Sequence, residues 1–251
     1  MAYQEVVDAE QAYQEMGGGN TAIFVKGAAT EVRLGFVRKV YGILATQLAL
    51  TVAVAAAIQQ MPMEWVRANI WLMQVSLAGT IATICALSCC PNVGRKYPMN
   101  YVLLFGFTFF EAILVGMISA TYTKGLVMVC AGITTAIFLG MTVYAWTSKS
   151  DFTGMGPYLV GGLISLFVLG LTLPLLSLMG LPIAATTKLY AAGGVLIFTA
   201  YIVYDTQLIL GEYKGHAHQF QVDDYVIAAL NLYLDVINLF LDLLQLLGDS
   251  R

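Results

Sequence analysis

Four acidic residues stand where a carboxylate is costly. Glu111 lies in FTFFEAILVG, Asp205 in AYIVYDTQLIL, and Asp235 and Asp242 in NLYLDVINLFLDLLQLL, each within a run that is otherwise almost wholly apolar. An ionisable group at membrane depth costs about 2.5 to 3.5 kcal/mol on insertion scales, so it faces protein or water and marks function. No lysine or arginine lies at comparable depth to neutralise these acids. They therefore need one another, protons, a cation or water.

Spacing sharpens the last run. Asn231, Asp235, Asn238, Asp242 and Gln245 are separated by 4, 3, 4 and 3 residues, which is one face of a helix, a stripe about 21 Å long. It reads as a polar pathway facing the interior; for Asn231 and Gln245 interhelical hydrogen-bond glue is an equally plain reading. In the preceding run Tyr201 and Asp205 are four apart and share a face. One loop joins the two runs, so their helices should be antiparallel neighbours. Asp205 lies about 8 Å inside its helix and Asp235 about 17 Å inside its own. Their depths match only if the sixth-span helix continues past Gly211 towards Gly215, which is predicted. Two touching carboxylates cannot both ionise cheaply, so the pair would share a proton and sense pH. Glu111 is either a protonated core acid or a member of the polar path. His216 and His218 read as surface residues.

The elements that must position these groups follow from composition. Hydrophobic residues make up 59% and charged residues 11% of 251 residues, with mean hydropathy +0.78, which excludes an ordinary soluble domain. Seven apolar runs approach the roughly 20 residues needed to cross a bilayer: 40–58, 70–89, 99–121, 126–146, 158–179, 188–210 and 225–247. The fold class expected is an all-α integral membrane protein with seven transmembrane helices. Residues 1–30 read as a disordered cytosolic tail and 31–251 as one transmembrane domain, with no cleaved signal peptide. Eight basic residues on the N-terminal side against four on the other place the N-terminus in the cytosol. The C-terminus then lies on the far side, unless a re-entrant last segment returns it. A net charge of -3 offers no surface for nucleic acid. Cys85, Cys89, Cys90 and Cys130 read as buried thiols rather than a disulfide framework. Gly161, Gly162, Gly193 and Gly194 should allow close helix approach, and Pro174 should kink or end the fifth span.

Five ordered segments carry a resemblance: FVRKVYGILATQL (36–48), KYPMNYVLLFGFTFFEA (96–112), GMTVYAWTSKSDF (140–152), YDTQ (204–207) and LYLDVINLF (232–240). Together they resemble the transmembrane Bax inhibitor-motif, or lifeguard, family over residues 31–248, most closely its Golgi anti-apoptotic branch. The resemblance implies six helices around a central seventh, calcium leak from internal stores, response to pH and restraint of cell death. It implies that Asp205 and Asp235 form a proton-sharing pair that gates the bundle and holds calcium transiently. Arg95, with Lys96 beside it, is the nearest match to a basic latch known in bacterial members. The acid that those members carry in the second helix has no counterpart in 70–89. Regulation through the long charged C-terminal tail of some relatives is not expected, since the sequence stops at GDSR.

The leading expectation is a pH-sensitive calcium-permeable leak of Golgi or endoplasmic reticulum membranes, with calcium and protons as the ions and no cofactor. Its partners would be membrane lipid and, beyond it, cell-death regulators or calcium channels. The alternative is a non-conducting scaffold for those same partners. A two-aspartate intramembrane protease also carries YD on one span and a second aspartate on the next. Here the second motif is LYLD rather than GxGD and the PAL tripeptide is absent, so no enzyme is expected. A seven-span receptor is disfavoured by very short loops.

Overall fold

An apolar run in hydrocarbon must satisfy its own backbone, because each unbonded N–H or C=O there costs several kcal/mol. In the computed structural model, which describes residues 24–25, 28–89, 96–211 and 220–248, every expected span is a helix. In chain order these are α1 (Thr30–Gln59), a short α2 (Met63–Ala68), α3 (Trp71–Cys89), α4 (Met99–Ser119), α5 (Lys124–Thr147), α6 (Gly156–Leu178), α7 (Ala184–Leu210) and α8 (Tyr225–Leu247). Among the described residues six are long and apolar enough to cross a membrane, and α3 is a shorter apolar helix. The chain is a multi-pass all-α membrane protein.

Local sequence sets the helix ends. Thr123 caps α5, its hydroxyl accepting from the Leu126 N–H at 3.3 Å. Pro174 does not end its helix, since α6 runs one turn further to Leu178. The predicted continuation of the sixth span past Gly211 is corrected: α7 stops at Leu210. Gly211 takes the left-handed conformation (φ 62°) and its N–H donates to the Gln207 carbonyl at 3.1 Å. Only glycine enters that region without strain, so it terminates the helix.

Packing ranks the helices. α8 is two-thirds buried (67% of its apolar window) against 11% for α5, so α8 is a core helix and α5 faces outward. α8 packs on α7, α1, α5 and α4, while α3 leans chiefly on α4 and α6 on α7. Tyr233 and Leu244 are fully buried on the side of α8 opposite Asp235, and Leu232 and Leu239 are fully buried on the flanks beside it. The polar stripe therefore has apolar protein behind it.

The first turns of α8 have a wall of their own. α1 begins at Thr30 instead of residue 40, and Phe36 stacks near Phe220 with ring centroids 6.4 Å apart. The Val25 N–H donates to the Phe220 carbonyl at 3.0 Å, and Phe24 pairs with Gln221. Lys39 places its ammonium 3.2 Å from the centre of the Tyr225 ring. Residues 1–23, on which the expectation of a disordered tail mainly falls, lie outside the described residues.

Candidate functional site

The pair α7 and α8 forms the most extensive helix contact in the bundle, and the two aspartates meet within it. Asp205 is 4% and Asp235 5% exposed, and their carboxyl groups are in hydrogen-bond contact. Asp235 Oδ2 has no hydrogen-bond partner among the described residues. The Tyr201 hydroxyl end lies beside both carboxyls, and Tyr204 lies beside Asp205. Among the described residues no basic side chain faces the pair.

The meeting does not need a longer α7. Asp235 is ten residues from the start of α8 and Asp205 five from the end of α7. The start of α8 therefore overhangs the end of α7 by about 7.5 Å at 1.5 Å per residue. The α1 wall covers that overhang. What defeats the depth argument is its premise that neighbouring helices begin in one plane.

Two carboxyls in contact can hold one proton between them. They can also present oxygens to calcium, which takes six to eight. Among the described residues no three His, Cys, Asp or Glu side chains gather as a metal cluster, so water or backbone would have to complete any calcium shell.

The rest of the expected polar pathway is not one connected chain. Asn238 turns back on its own helix, its Nδ2 donating to the Leu234 carbonyl at 2.8 Å. Asn231 is half-buried. Asp242 is buried two turns beyond Asp235 and sits against Gly194 of α7, where a Cβ would overlap its carboxyl. Glu111 faces away towards α3 and accepts from Thr80 Oγ1 at 3.4 Å. Lys96 is exposed just before α4. Arg95, its expected companion in a latch, lies outside the described residues, as do Cys90, His216 and His218. Of the other thiols Cys130 is buried, whereas Cys85 and Cys89 are exposed on the outer face of α3; α3 touches the bundle mainly through α4, which leaves much of its surface to lipid.

Neutral polar residues, which the acids overshadow in the sequence, make a second network. Thr51 Oγ1 and the Tyr233 hydroxyl are 2.8 Å apart, and Gln47 Nε2 donates to Thr108 Oγ1 at 2.9 Å. These bonds tie α1 to α8 and to α4 on the side of α8 opposite Asp235. The i, i+4 spacing of Gln47 and Thr51 within an apolar run is the signal that would have found them. Gln207, two residues past Asp205, clamps the α5–α6 connection: its Oε1 accepts from the Phe152 N–H at 2.8 Å and its Nε2 donates to the Ser150 carbonyl at 2.9 Å.

The family described as Inhibitor of apoptosis-promoting Bax1 matches residues 33–251. Protein lifeguard 3 of Homo sapiens is 36% identical over 222 residues, 87% of this chain and 70% of that protein. The Golgi anti-apoptotic protein of Vaccinia virus (strain Lister) is 37% identical over 230 residues, 90% of each chain. With a family match across most of its length and relatives of this similarity, the chain belongs to the Bax inhibitor, or lifeguard, family.

Proposed function

We propose that the chain is a pH-sensitive, calcium-permeable leak of Golgi or endoplasmic reticulum membranes that restrains cell death, gated by a proton shared between Asp205 and Asp235. What carries this reading is the contact between two buried carboxyls on adjacent spans with no basic side chain beside them among the described residues. Uncompensated acids at that depth are retained where protons or ions use them. Protons and calcium compete for the same oxygens, so calcium occupancy falls as pH falls. Losing or gaining the shared proton changes the repulsion between α7 and α8. α8, the central helix of a six-around-one bundle, then moves to open or close a polar path. The names of the two relatives, one a Golgi anti-apoptotic protein, support the cell-death role and the membrane.

The test is calcium flux in proteoliposomes holding purified protein alone. The native chain is expected to pass calcium with a rate that depends on pH, and Asp235→Asn to flatten that dependence. Flux and pH response unchanged by Asp235→Asn would remove the mechanism. No flux from the purified native chain would favour a scaffold that acts only through a partner.

A further inference from the structure

At the opposite end of the bundle from the α1 wall, α6, α7 and α8 surround an open cavity of about 490 Å³, a size common among sites for small ligands. Four residues of its lining carry hydrogen-bonding side chains: Ser177 of α6, Thr187 and Tyr190 of α7, and Gln245 of α8. Hydroxyls in a membrane helix commonly return to a carbonyl of their own helix, as Ser165 and Thr172 of α6 do at 2.9 and 2.8 Å. The four side chains of the lining make no hydrogen bond among the described residues. A fifth group comes from the backbone. Pro174 lies inside α6 and has no N–H, so the Gly170 carbonyl four residues earlier lacks its intrahelical donor, and both residues line the cavity. The phenol of Tyr190 reaches across to α6, since a Cβ at Gly170 would stand 3.3 Å from its oxygen.

Depth and charge narrow the ligand. Ser177, Thr187 and Gln245 lie within three residues of their helix ends, about 4.5 Å at 1.5 Å per residue, the level at which lipid heads meet hydrocarbon. Leu173, Pro174 and Ile183 supply the apolar part of the lining. Among the described residues no charged side chain lines the cavity, and the Asp242 carboxyl, which lies in the field of Tyr190 outside the lining, would repel a phosphate. Beside the cavity Leu171, Leu175 and Leu178 are exposed along the outside of α6, each the next residue round the helix from Gly170, Pro174 and Ser177. An acyl chain has a surface to lie on there. Unmet groups that both donate and accept, an uncharged lining and an apolar flank suit a lipid head of hydroxyl and carbonyl groups. A sterol, with its single hydroxyl, would leave most of the five groups unmet.

We propose that this cavity binds an uncharged acyl lipid with a hydroxyl-bearing head, of the diacylglycerol or ceramide class. Ser177, Thr187 and Gln245 bond the head at the interface, Tyr190 donates to its carbonyl, and the freed Gly170 carbonyl accepts from its hydroxyl or amide N–H. A bundle that conducts nothing would still hold such a lipid here, so the site stands apart from the gating pair.

The experiment is photolabelling of the full chain in phosphatidylcholine nanodiscs, with diazirine-bearing diacylglycerol, ceramide and phosphatidylcholine in separate arms and the labelled peptides located by mass spectrometry. One or both uncharged probes should label residues 170–190 or 242–247, and the phosphatidylcholine probe should not. Thr187→Val and Gln245→Leu, which remove a polar group at nearly constant volume, should each weaken binding about fivefold in competition with unlabelled lipid, the effect of losing one hydrogen bond. Pro174→Ala returns an N–H to the Gly170 carbonyl, so it should weaken ceramide, whose amide N–H can reach that carbonyl, more than diacylglycerol, which has no amide. Asp235→Asn should leave the labelling in place whatever it does to flux. The uncharged probe that labels the site more strongly is the ligand, and equal labelling by the two means that the head chemistry they share is what is recognised. In the native chain, no labelling of these residues by either uncharged probe, or labelling by phosphatidylcholine as strong as theirs, overturns the proposal. So does labelling indifferent to both Thr187→Val and Gln245→Leu.

Discussion

Thr51 and Tyr233 join hydroxyls at 2.8 Å in the buried interior, and Thr51 also donates to the Gln47 carbonyl at 2.9 Å, so removing the Tyr233 hydroxyl takes away one of its two bonds. Tyr233→Phe should cost about 1 kcal/mol, read as a lowered thermal midpoint in detergent, with the pH response of flux kept. Gly194→Ala should do more. The added methyl occupies the place of the Asp242 carboxyl, and overpacking of a tight seat costs about 1 to 3 kcal/mol; an unchanged thermal midpoint would show that Asp242 has room to move. At this scale the sequence was most legible where a residue violated its surroundings. An aspartate in LYLDVINLF or YDTQLIL is conspicuous because its burial is expensive, and the two are in fact in contact. Thr51, Thr108 and Gln47 were less conspicuous, because hydroxyls and amides are cheap inside a membrane helix and only the i, i+4 spacing of Gln47 and Thr51 marks them. Asn238 misled in the other direction: its position on the stripe suggested an interhelical bond, but its amide donates to its own helix.

Elements are decided by their ends. Gly211 stops α7 in the left-handed region, where a residue with a Cβ costs roughly 1 to 2 kcal/mol. Gly211→Ala should therefore fray the end of α7, raising amide hydrogen exchange over residues 207–210 and loosening the Gln207 clamp on 150–152. Lys39 over the Tyr225 ring holds the overhanging start of α8, an interaction worth about 0.5 to 2 kcal/mol. Lys39→Ala should raise exchange in the first turn of α8 and leave α5 untouched; equal protection in both chains would show that the contact holds nothing. The existence of every span could be read from apolar run length, since hydrocarbon admits few alternatives to helix. The stagger between α7 and α8 could not be read that way. It is set by tertiary contacts from Phe24, Val25, Phe36 and Lys39, and run length says nothing about where neighbouring helices begin relative to one another.

For the whole molecule, α8 couples everything proposed. Its one side meets Asp205, the opposite side meets Thr51, its start is held by α1, and near its end Asp242 seats against Gly194 of α7. A helix held at so many points moves as a unit, so a change of charge at Asp235 would be felt at both ends. That one face of the last helix points inward was legible in its polar stripe; its burial on most sides, against α7, α1, α5 and α4, could not be read from the stripe. The decisive measurement is a pair of experimental structures in lipid, one at acid and one at alkaline pH, giving the distance between the carboxyls of Asp205 and Asp235. They should stay in hydrogen-bond contact in acid, where a proton is shared, and part with a displacement of α8 in alkali, where both ionise. The same separation at both pH values, with α8 in one position, would contradict gating by a shared proton.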